Sequence, residues 1–497
     1  MGKKDLEFQN ANLAIADYIK KTPAYWQDIQ NKLNVELFNN MVRKVAAYKK
    51  FLKMQKIRTK TAKSVSELNS IPPIFKQNYF NKFSLVEVAY KGFYKNCGMV
   101  MTSTSGSTGQ PTFFPRTEKI DWQYSVLAEY FLANGPKENV LVIDCFGMGI
   151  WIGGLITYQA FRYAALRGYP VTVATTGINK NEIFHCLKEL APFFGSVILA
   201  GYPPFIKDLL DEALSIGINL RKLNIRLLFA AESFTETFRD YVVKKAGVKN
   251  LYFDTLNIYG SAELGAMAFE TPLCILLRRL ALKNKKFYNK LFYNKRLPTL
   301  AQYNPNFVRF QATNGEILIS ADNAVPLFNY KIGDSGGVCS ISEMQKMCEE
   351  SGIDLIAEAK KNKTPFTTLP FVYVYERSDF STKLYGAIIY PEHIREALLH
   401  TKVKAAVTGK FSMFTKQNNN QDQYLEIHVE LKPGQKDSKL LKDLCREIVT
   451  ASLLEKNAEY KNNYTTMPKK VTPVITLWEH GHPLYFKQGV KQKWVIK

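Results

Sequence analysis

The chain contains no Cys-x-x-Cys pair, no His-Glu-x-x-His motif and no Gly-Lys-Ser/Thr triplet. The first two absences argue against a zinc centre, and the third excludes a Walker phosphate loop. Seven cysteines, at 97, 145, 186, 274, 339, 348 and 445, are scattered and odd in number. That pattern suits reduced thiols in a cytoplasm and not a disulfide framework. No long uninterrupted apolar run occurs either. The stretch Val140 to Ile156 is broken by Asp144 and four glycines, so no transmembrane segment is expected. The first residues lack the apolar centre of a signal peptide, and Leu6 stands where a myristoylation motif requires Ser or Thr. Acidic residues are comparatively scarce, 44 against 67 Lys and Arg, for a net charge of +23. Such a balance favours anionic partners such as nucleotides, coenzyme A or acidic carrier proteins. No nucleic-acid-binding module accompanies it, so no nucleic-acid partner is expected.

With 497 residues, 46% hydrophobic and 13% aromatic, the chain is long and apolar enough for about two to four packed domains. Apolar residues at three- and four-residue steps predict helices over the first 70 or so positions, before Ile71-Pro72-Pro73 interrupts them. Thr102 to Gly109 then concentrates small hydroxyl residues and glycines, ending at Gln110-Pro111. Side chains this small let a backbone approach an anion and direct several N–H groups at it. A flexible Ser/Gly linker has a similar composition, but the apolar pair Phe113-Phe114 follows at once. Beyond the loop, apolar strand runs alternate with amphipathic helices: Val140–Asp144, Val171–Val173, Glu182–Leu190, Val197–Ala200, Phe205–Leu214, Ile225–Ala230 and Glu236–Lys245. This alternation predicts βαβ units and an α/β fold with mainly parallel sheets.

Pro272 to Pro298 departs from that rhythm. Eight basic residues (Arg278, Arg279, Lys283, Lys285, Lys286, Lys290, Lys295 and Arg296) alternate there with Leu, Phe and Tyr, and no acidic residue occurs between Glu270 and Glu316. Two readings fit: a helical insertion with its apolar face on the core, or a basic docking face for a membrane surface or an acidic protein. After Glu376 the pattern becomes α+β and ends in a lysine-rich tail. These shifts divide the chain into a helical N-terminal region (1–100), a nucleotide-binding domain (101–376) and a small C-terminal domain (377–497).

Four further stretches follow the glycine-rich loop. Phe229-Ala-Ala-Glu-Ser233 places a carboxylate behind a buried strand, and Asn257-Ile-Tyr-Gly-Ser-Ala-Glu263 ends another. Val325-Pro-Leu-Phe-Asn-Tyr-Lys-Ile-Gly-Asp334 carries an Asp behind a glycine, and Glu376-Arg-Ser-Asp379 leads to Lys383-Leu-Tyr-Gly386 and Tyr390-Pro-Glu392. In this order the motifs resemble those of the adenylate-forming superfamily, which includes acyl-CoA synthetases, adenylation domains and luciferases. The form of Ser105-Gly-Ser-Thr-Gly-Gln-Pro-Thr112 is most similar to the phenylacetate–CoA ligase and CapK-like branch.

The resemblance implies a large multi-subdomain N-terminal domain and a small, mobile C-terminal domain. It implies an enzyme, an AMP-forming acid–thiol ligase that activates a carboxylic acid to an acyl-adenylate and then transfers the acyl group to CoA. An acidic carrier protein, a partner-enzyme cysteine, a sugar or an amine is the alternative acceptor. Ser105, Gly106, Ser107, Thr108 and Gly109 would hold the β- and γ-phosphates of ATP, and Glu263 would bind Mg²⁺. Tyr259 and Gly260 would stack on or flank adenine, Glu232 and Ser261 would belong to the same cofactor-binding set, and Asp334 would accept both ribose hydroxyls. Arg377 would contact ribose or phosphate, and Asp379 would be the hinge. The mobile cation of the adenylation step would be Lys491 or Lys493, with Lys491, two residues after Gly489, favoured. Glu376, Phe380 and Asn329 depart from the family pattern, in which Gly, Asp and Arg are usual.

Overall fold

A computed structural model describes residues 11–57, 61–92, 100–103, 113–149, 152–293, 297–377 and 381–486. The predicted N-terminal helices are present as Ala11–Lys20, Pro23–Lys44 and Ala46–Met54. Thr22 caps the second, its side chain accepting from the Tyr25 N–H while Pro23 occupies the first turn. That helix buries Trp26, Leu37, Phe38 and Met41, whose spacing gives it one apolar face. Phe38 meets Phe328 of the central sheet edge-on, with ring centroids 5.5 Å apart. Trp26 donates its indole N–H to Thr368 Oγ1 at 3.0 Å. The helical region is therefore packed into the larger body.

Strands β1 (Val100–Ser103) and β2 (Phe113–Arg116) form an antiparallel pair in which Ser103 faces Phe113. Residues 104–112 connect them and lie outside the described residues, and the phosphate-loop positions Ser105 to Gly109 lie with them.

The main sheet has eleven strands: β3 (Val140–Asp144), β4 (Val171–Ala174), β5 (Ser196–Gly201), β6 (Ile225–Ala230), β7 (Thr255–Ser261), β8 (Gly265–Phe269), β9 (Thr299–Gln302), β10 (Val308–Thr313), β11 (Glu316–Ala321), β12 (Leu327–Cys339) and β13 (Phe371–Arg377). Their order is β10-β11-β12-β13-β9-β8-β7-β6-β5-β3-β4. The run β4-β3-β5-β6-β7 is parallel throughout, and antiparallel pairing extends it from β8 to β10. Strands β3 and β5 are buried along their whole length, as parallel strands covered by helices on both faces must be. This is the expected α/β class.

The basic segment resolves into two helices, Pro272–Lys283 and Lys285–Leu291. Leu273, Leu277, Phe287 and Leu291 pack with Leu300, Met344 and Phe371 in a second core on one side of the sheet. The insertion reading is the correct one for this apolar face. Arg278 is wholly buried and pairs with Glu236 at 3.0 Å and Glu270 at 2.8 Å, while Arg279 binds Glu236 and Asp240. These two arginines therefore cannot present charge to a docking partner; Lys283, Lys285, Lys286 and Lys290 are exposed on the outer face.

From residue 381 a separate α+β unit follows. Hairpin β14 (Thr382–Leu384) and β15 (Ala387–Ile389) turns at Tyr385 and Gly386, both at positive φ. That conformation matches the twist of a two-residue hairpin. Strands β16 (Val407–Gln417), β17 (Gln423–Leu431) and β18 (Val474–Trp478) form a three-stranded sheet, with β17 and β18 parallel. Helices Pro391–Leu398 and Lys439–Lys456 pack beside it. No helix among the described residues is long and apolar enough to cross a membrane.

Candidate active site

Ligands of open α/β sheets bind beyond the carboxyl ends of the parallel strands. Here those ends are Asp144 (β3), Gly201 (β5), Ala230 (β6) and Ser261 (β7), and three of the four motifs beyond the loop fall on or beside this rim. Tyr259, near the end of β7, donates its hydroxyl to Asp334 Oδ2 at 2.6 Å. Asp334 lies in β12 directly opposite Arg377 of β13. Three residues separated by as many as 118 positions (Tyr259 to Arg377) thus converge because β12 and β13 run antiparallel through the same sheet. Phe310 supports the Tyr259 ring from the strand side, with centroids 6.0 Å apart at 33°.

Gly260 is needed as glycine for space. A Cβ there would fall 2.6 Å from the carbonyl oxygen of Gly265 across the β7–β8 turn. The Ser261 hydroxyl accepts the Leu264 N–H at 3.3 Å and so shapes the same turn. Within that turn Glu263 is half-buried and accepts a hydrogen bond from the Tyr330 hydroxyl at 3.1 Å.

Tyr330 was not singled out in the sequence, although it lies inside the motif ending at Asp334. It is buried, its strand is bridged by Ile74, and its ring meets Phe80 edge-on at 5.6 Å. Phe80 in turn meets Phe114 of β2 at 5.4 Å. The hairpin that carries the glycine-rich loop is therefore tied through two aromatic contacts to the residue that holds Glu263. Among the described residues no three His, Cys, Asp or Glu side chains cluster as metal ligands. A single oriented carboxylate fits a hard cation such as Mg²⁺, which takes most of its remaining oxygens from phosphates and water.

Glu232 sits beyond β6 after Ala231, a non-glycine residue at φ 74°. Asn257 on β7 holds the segment, its amide donating to the Glu232 carbonyl at 3.3 Å. The Glu232 carboxylate accepts the Gly386 N–H and, at 3.1 Å, the side-chain amide of Gln423. Both donors belong to the C-terminal unit, so the Glu232 carboxylate takes part in the joint between units. Lys383 reinforces this contact by donating to the Ala231 carbonyl at 2.6 Å.

A second set of contacts closes the same joint. Tyr385 donates to Asp208 Oδ2 at 3.0 Å, and Lys470 reaches Asp208 at 3.3 Å and Asp422 at 2.7 Å. Lys207, itself buried, binds Asp422 from the other side and Asp211 at 2.9 Å. Burial pushes the Asp422 carboxyl up, but hydrogen bonds from Lys207 and Lys470 outweigh it and hold the group well below the usual carboxylate range. Of these joint residues, Ala231, Glu232, Lys383, Tyr385 and Gly386 lie in motifs visible in the sequence, whereas Lys207, Asp208, Asp211, Asp422, Gln423 and Lys470 do not.

Beside the β3 and β5 strand ends, Phe146 and Tyr202 meet edge-on at 5.1 Å. Phe234 does not join them. It packs on Phe229 and Phe238, with Arg239 over its ring, inside the buried ion cluster. Glu376 and Arg377 are described in backbone only, and Asp379, Lys491 and Lys493 lie outside the described residues.

No family model matches the sequence, and no curated protein matches it. Solved structures do. A 2-hydroxyisobutyryl-CoA ligase in complex with 2-HIB-AMP and CoA, in the thioesterification state, superposes with a TM-score of 0.63 at 13% identity, over 97% of this chain and 91% of that chain. The same ligase with 2-HIB-AMP in the postadenylation state gives 0.53 at 13% identity, with the same coverage of both chains. Its open conformation with 2-HIB-AMP and CoA gives 0.51 at 13% identity, over 97% of this chain and 94% of that chain. At this identity the similarity establishes the fold.

Proposed function

We propose that this chain is an ATP-dependent acid–thiol ligase that converts a carboxylic acid to an acyl-adenylate and passes the acyl group to CoA. The observation that carries the reading is the Tyr259–Asp334–Arg377 assembly at the rim of a sheet whose fold is that of a ligase holding an acyl-AMP and CoA. Asp334 offers a carboxylate to a ribose diol, and Tyr259 fixes that carboxylate while presenting a ring beside the strand ends. Arg377, which strand register sets opposite Asp334, would bring a charge suited to ribose or phosphate. Ser105 to Gly109, borne by the β1–β2 hairpin, would take the β- and γ-phosphates. Lys491, or Lys493, would supply the mobile cation, and Asp379 the hinge.

Glu263 would hold Mg²⁺, and the ion would supply positive charge to offset that of the phosphates. Tyr330 restrains the Glu263 carboxylate, as outer hydrogen bonds generally orient metal ligands. The domain limits at 100 and 376/377, the relation to the phenylacetate–CoA ligase and CapK-like branch, and a cytoplasmic location belong to the same reading. The C-terminal unit is closed over the β5–β6 rim in an arrangement that supports the thioester-forming step: whole-chain overlap is highest with the thioesterification state, 0.63 against 0.53 and 0.51. The site would accept an apolar acyl group beside Phe146 and Tyr202. Incubation with ATP, CoA and a carboxylate library, followed by mass detection, tests the reading. Acyl-adenylates and acyl-CoA thioesters are expected, and binding of ATP without either product would refute it.

A further inference from the structure

The rim divides into two sides. The nucleotide-type residues occupy β7, β12 and β13, whereas the C-terminal unit covers the ends of β5 and β6. On that second side Tyr202 follows β5 and caps the helix Pro203–Ser215. Its ring lies over Gly386, where an added Cβ would approach Tyr202 Cε1 to 2.8 Å, and its hydroxyl donates to Glu459 Oε1 at 3.4 Å. Glu459 belongs to the first turn of the helix Ala458–Thr466. Asn457 caps that helix and also donates to the Ile388 carbonyl at 2.9 Å, which ties it to β15 and the Tyr385–Gly386 turn. The Glu459 carboxylate is thus held at the acyl side of the joint, one ring away from Phe146.

We propose that Glu459 is the general base of the acyl-transfer step, taking the proton of the incoming acceptor. The assignment rests on the ligase reading above. The acceptor's S–H sulfur attacks the acyl carbon, a new S–C bond forms, and the carboxyl-carbon-to-oxygen bond of the adenylate breaks. AMP leaves with that electron pair and the thiol proton moves to the Glu459 carboxylate. Burial pushes Glu459 up to about 7, against the attraction of Lys383 and with the repulsion of Glu232 adding to the rise. Among the described residues Tyr202, Lys383 and Glu232 are the titratable groups facing it, and Asp208, Asp422, Lys207 and Lys470 form the separate ion cluster of the joint. A base near neutrality is suited to a thiol of ordinary pKa about 8.5.

The test separates a base from a mere strut. Glu459→Gln keeps the shape and can still accept from Tyr202, and it is neutral, the form that burial favours. If Glu459 only holds the joint, acyl transfer in this variant proceeds at the wild-type rate. The assignment predicts that single-turnover transfer from preformed acyl-adenylate to CoA falls about 100-fold. It also predicts that the wild-type rise of transfer through about pH 7 disappears, while acid-dependent pyrophosphate exchange stays at the wild-type rate. Glu459→Asp should recover part of the rate together with the pH-dependent limb. Transfer by Glu459→Gln at the wild-type rate and with the wild-type pH profile would overturn the assignment. Failure of the unmodified chain to exchange pyrophosphate with any acid would instead overturn the ligase reading, and this assignment with it.

Discussion

The two sides of the strand rim are built in opposite ways. Tyr259, Asp334 and Arg377 stand on neighbouring parts of one continuous sheet, so their separation is fixed by strand register. Tyr202, Asp208 and Glu232 meet Glu459, Tyr385, Lys470 and Gln423 across a joint between two units, and only side-chain contacts fix that geometry. The first side suits a nucleotide that must be held in the same place through two reactions. The second suits a partial site that exists only while the units are closed. Stiffness and reversibility are here assigned to different halves of one rim.

The largest expected effect lies on the rigid side. If Asp334 binds the ribose as proposed, Asp334→Asn should lower kcat/KM for ATP in pyrophosphate exchange by about 10²-fold or more, because an aligned charged acceptor would be lost. A loss of stability instead of nucleotide affinity would mean that Asp334 serves the sheet and not the ligand. Next comes the buried ion cluster beneath that side, where Arg239 and Arg278 share Glu270, all three wholly buried. Glu270→Ala should lower global unfolding stability by about 3–5 kcal/mol in urea denaturation, since it leaves two buried guanidiniums short of a partner.

Across the joint the effects should be smaller and selective. Asp422→Asn removes the charge that Lys207 and Lys470 share, so acyl transfer should slow several-fold and become less sensitive to salt, with pyrophosphate exchange unchanged. Equal slowing of both steps would erase the distinction between the two sides. The pH dependence has the opposite sign for the two carboxyls. Glu459 is raised from 4.5 to about 7 in the closed joint, so closure gains a proton in that interval and is weakened as pH rises through about 7. Asp422 is depressed, so its contribution persists throughout that range and is lost only in strong acid. Small-angle scattering between pH 5 and 8 should therefore show a modest opening at the alkaline end, reduced in Glu459→Gln. The smallest effect is expected from reversing Lys285 and Lys286, which face outward from the core-packed insertion: stability should move by about 0.5 kcal/mol or less and both half-reactions should persist.

The same contrast explains what was legible in the sequence. Strand and helix alternation foretold the parallel half, because each buried strand is a short apolar run. The motif residues at 259–263 and 325–334 could be placed because a strand end fixes where a few consecutive residues point. Tyr330 lay within a quoted motif but gave no sign of its target, since Glu263 is brought to it by the β7–β8 turn. Glu459 carried no signal: its neighbours in sequence are ordinary helix residues, and its partner Tyr202 is 257 positions away. Arg278 and Arg279 misled for a related reason. A basic residue looks solvated until the acidic partner that buries it is known, and here Glu236 and Glu270 come from other elements.

Whether the rigid side of this rim binds ATP for carboxylate activation is decided by isotope exchange between pyrophosphate and ATP. Across a panel of aromatic, aliphatic and hydroxylated acids, exchange should require one added acid and collapse in Asp334→Asn. ATP binding with no acid-dependent exchange anywhere in the panel would contradict it.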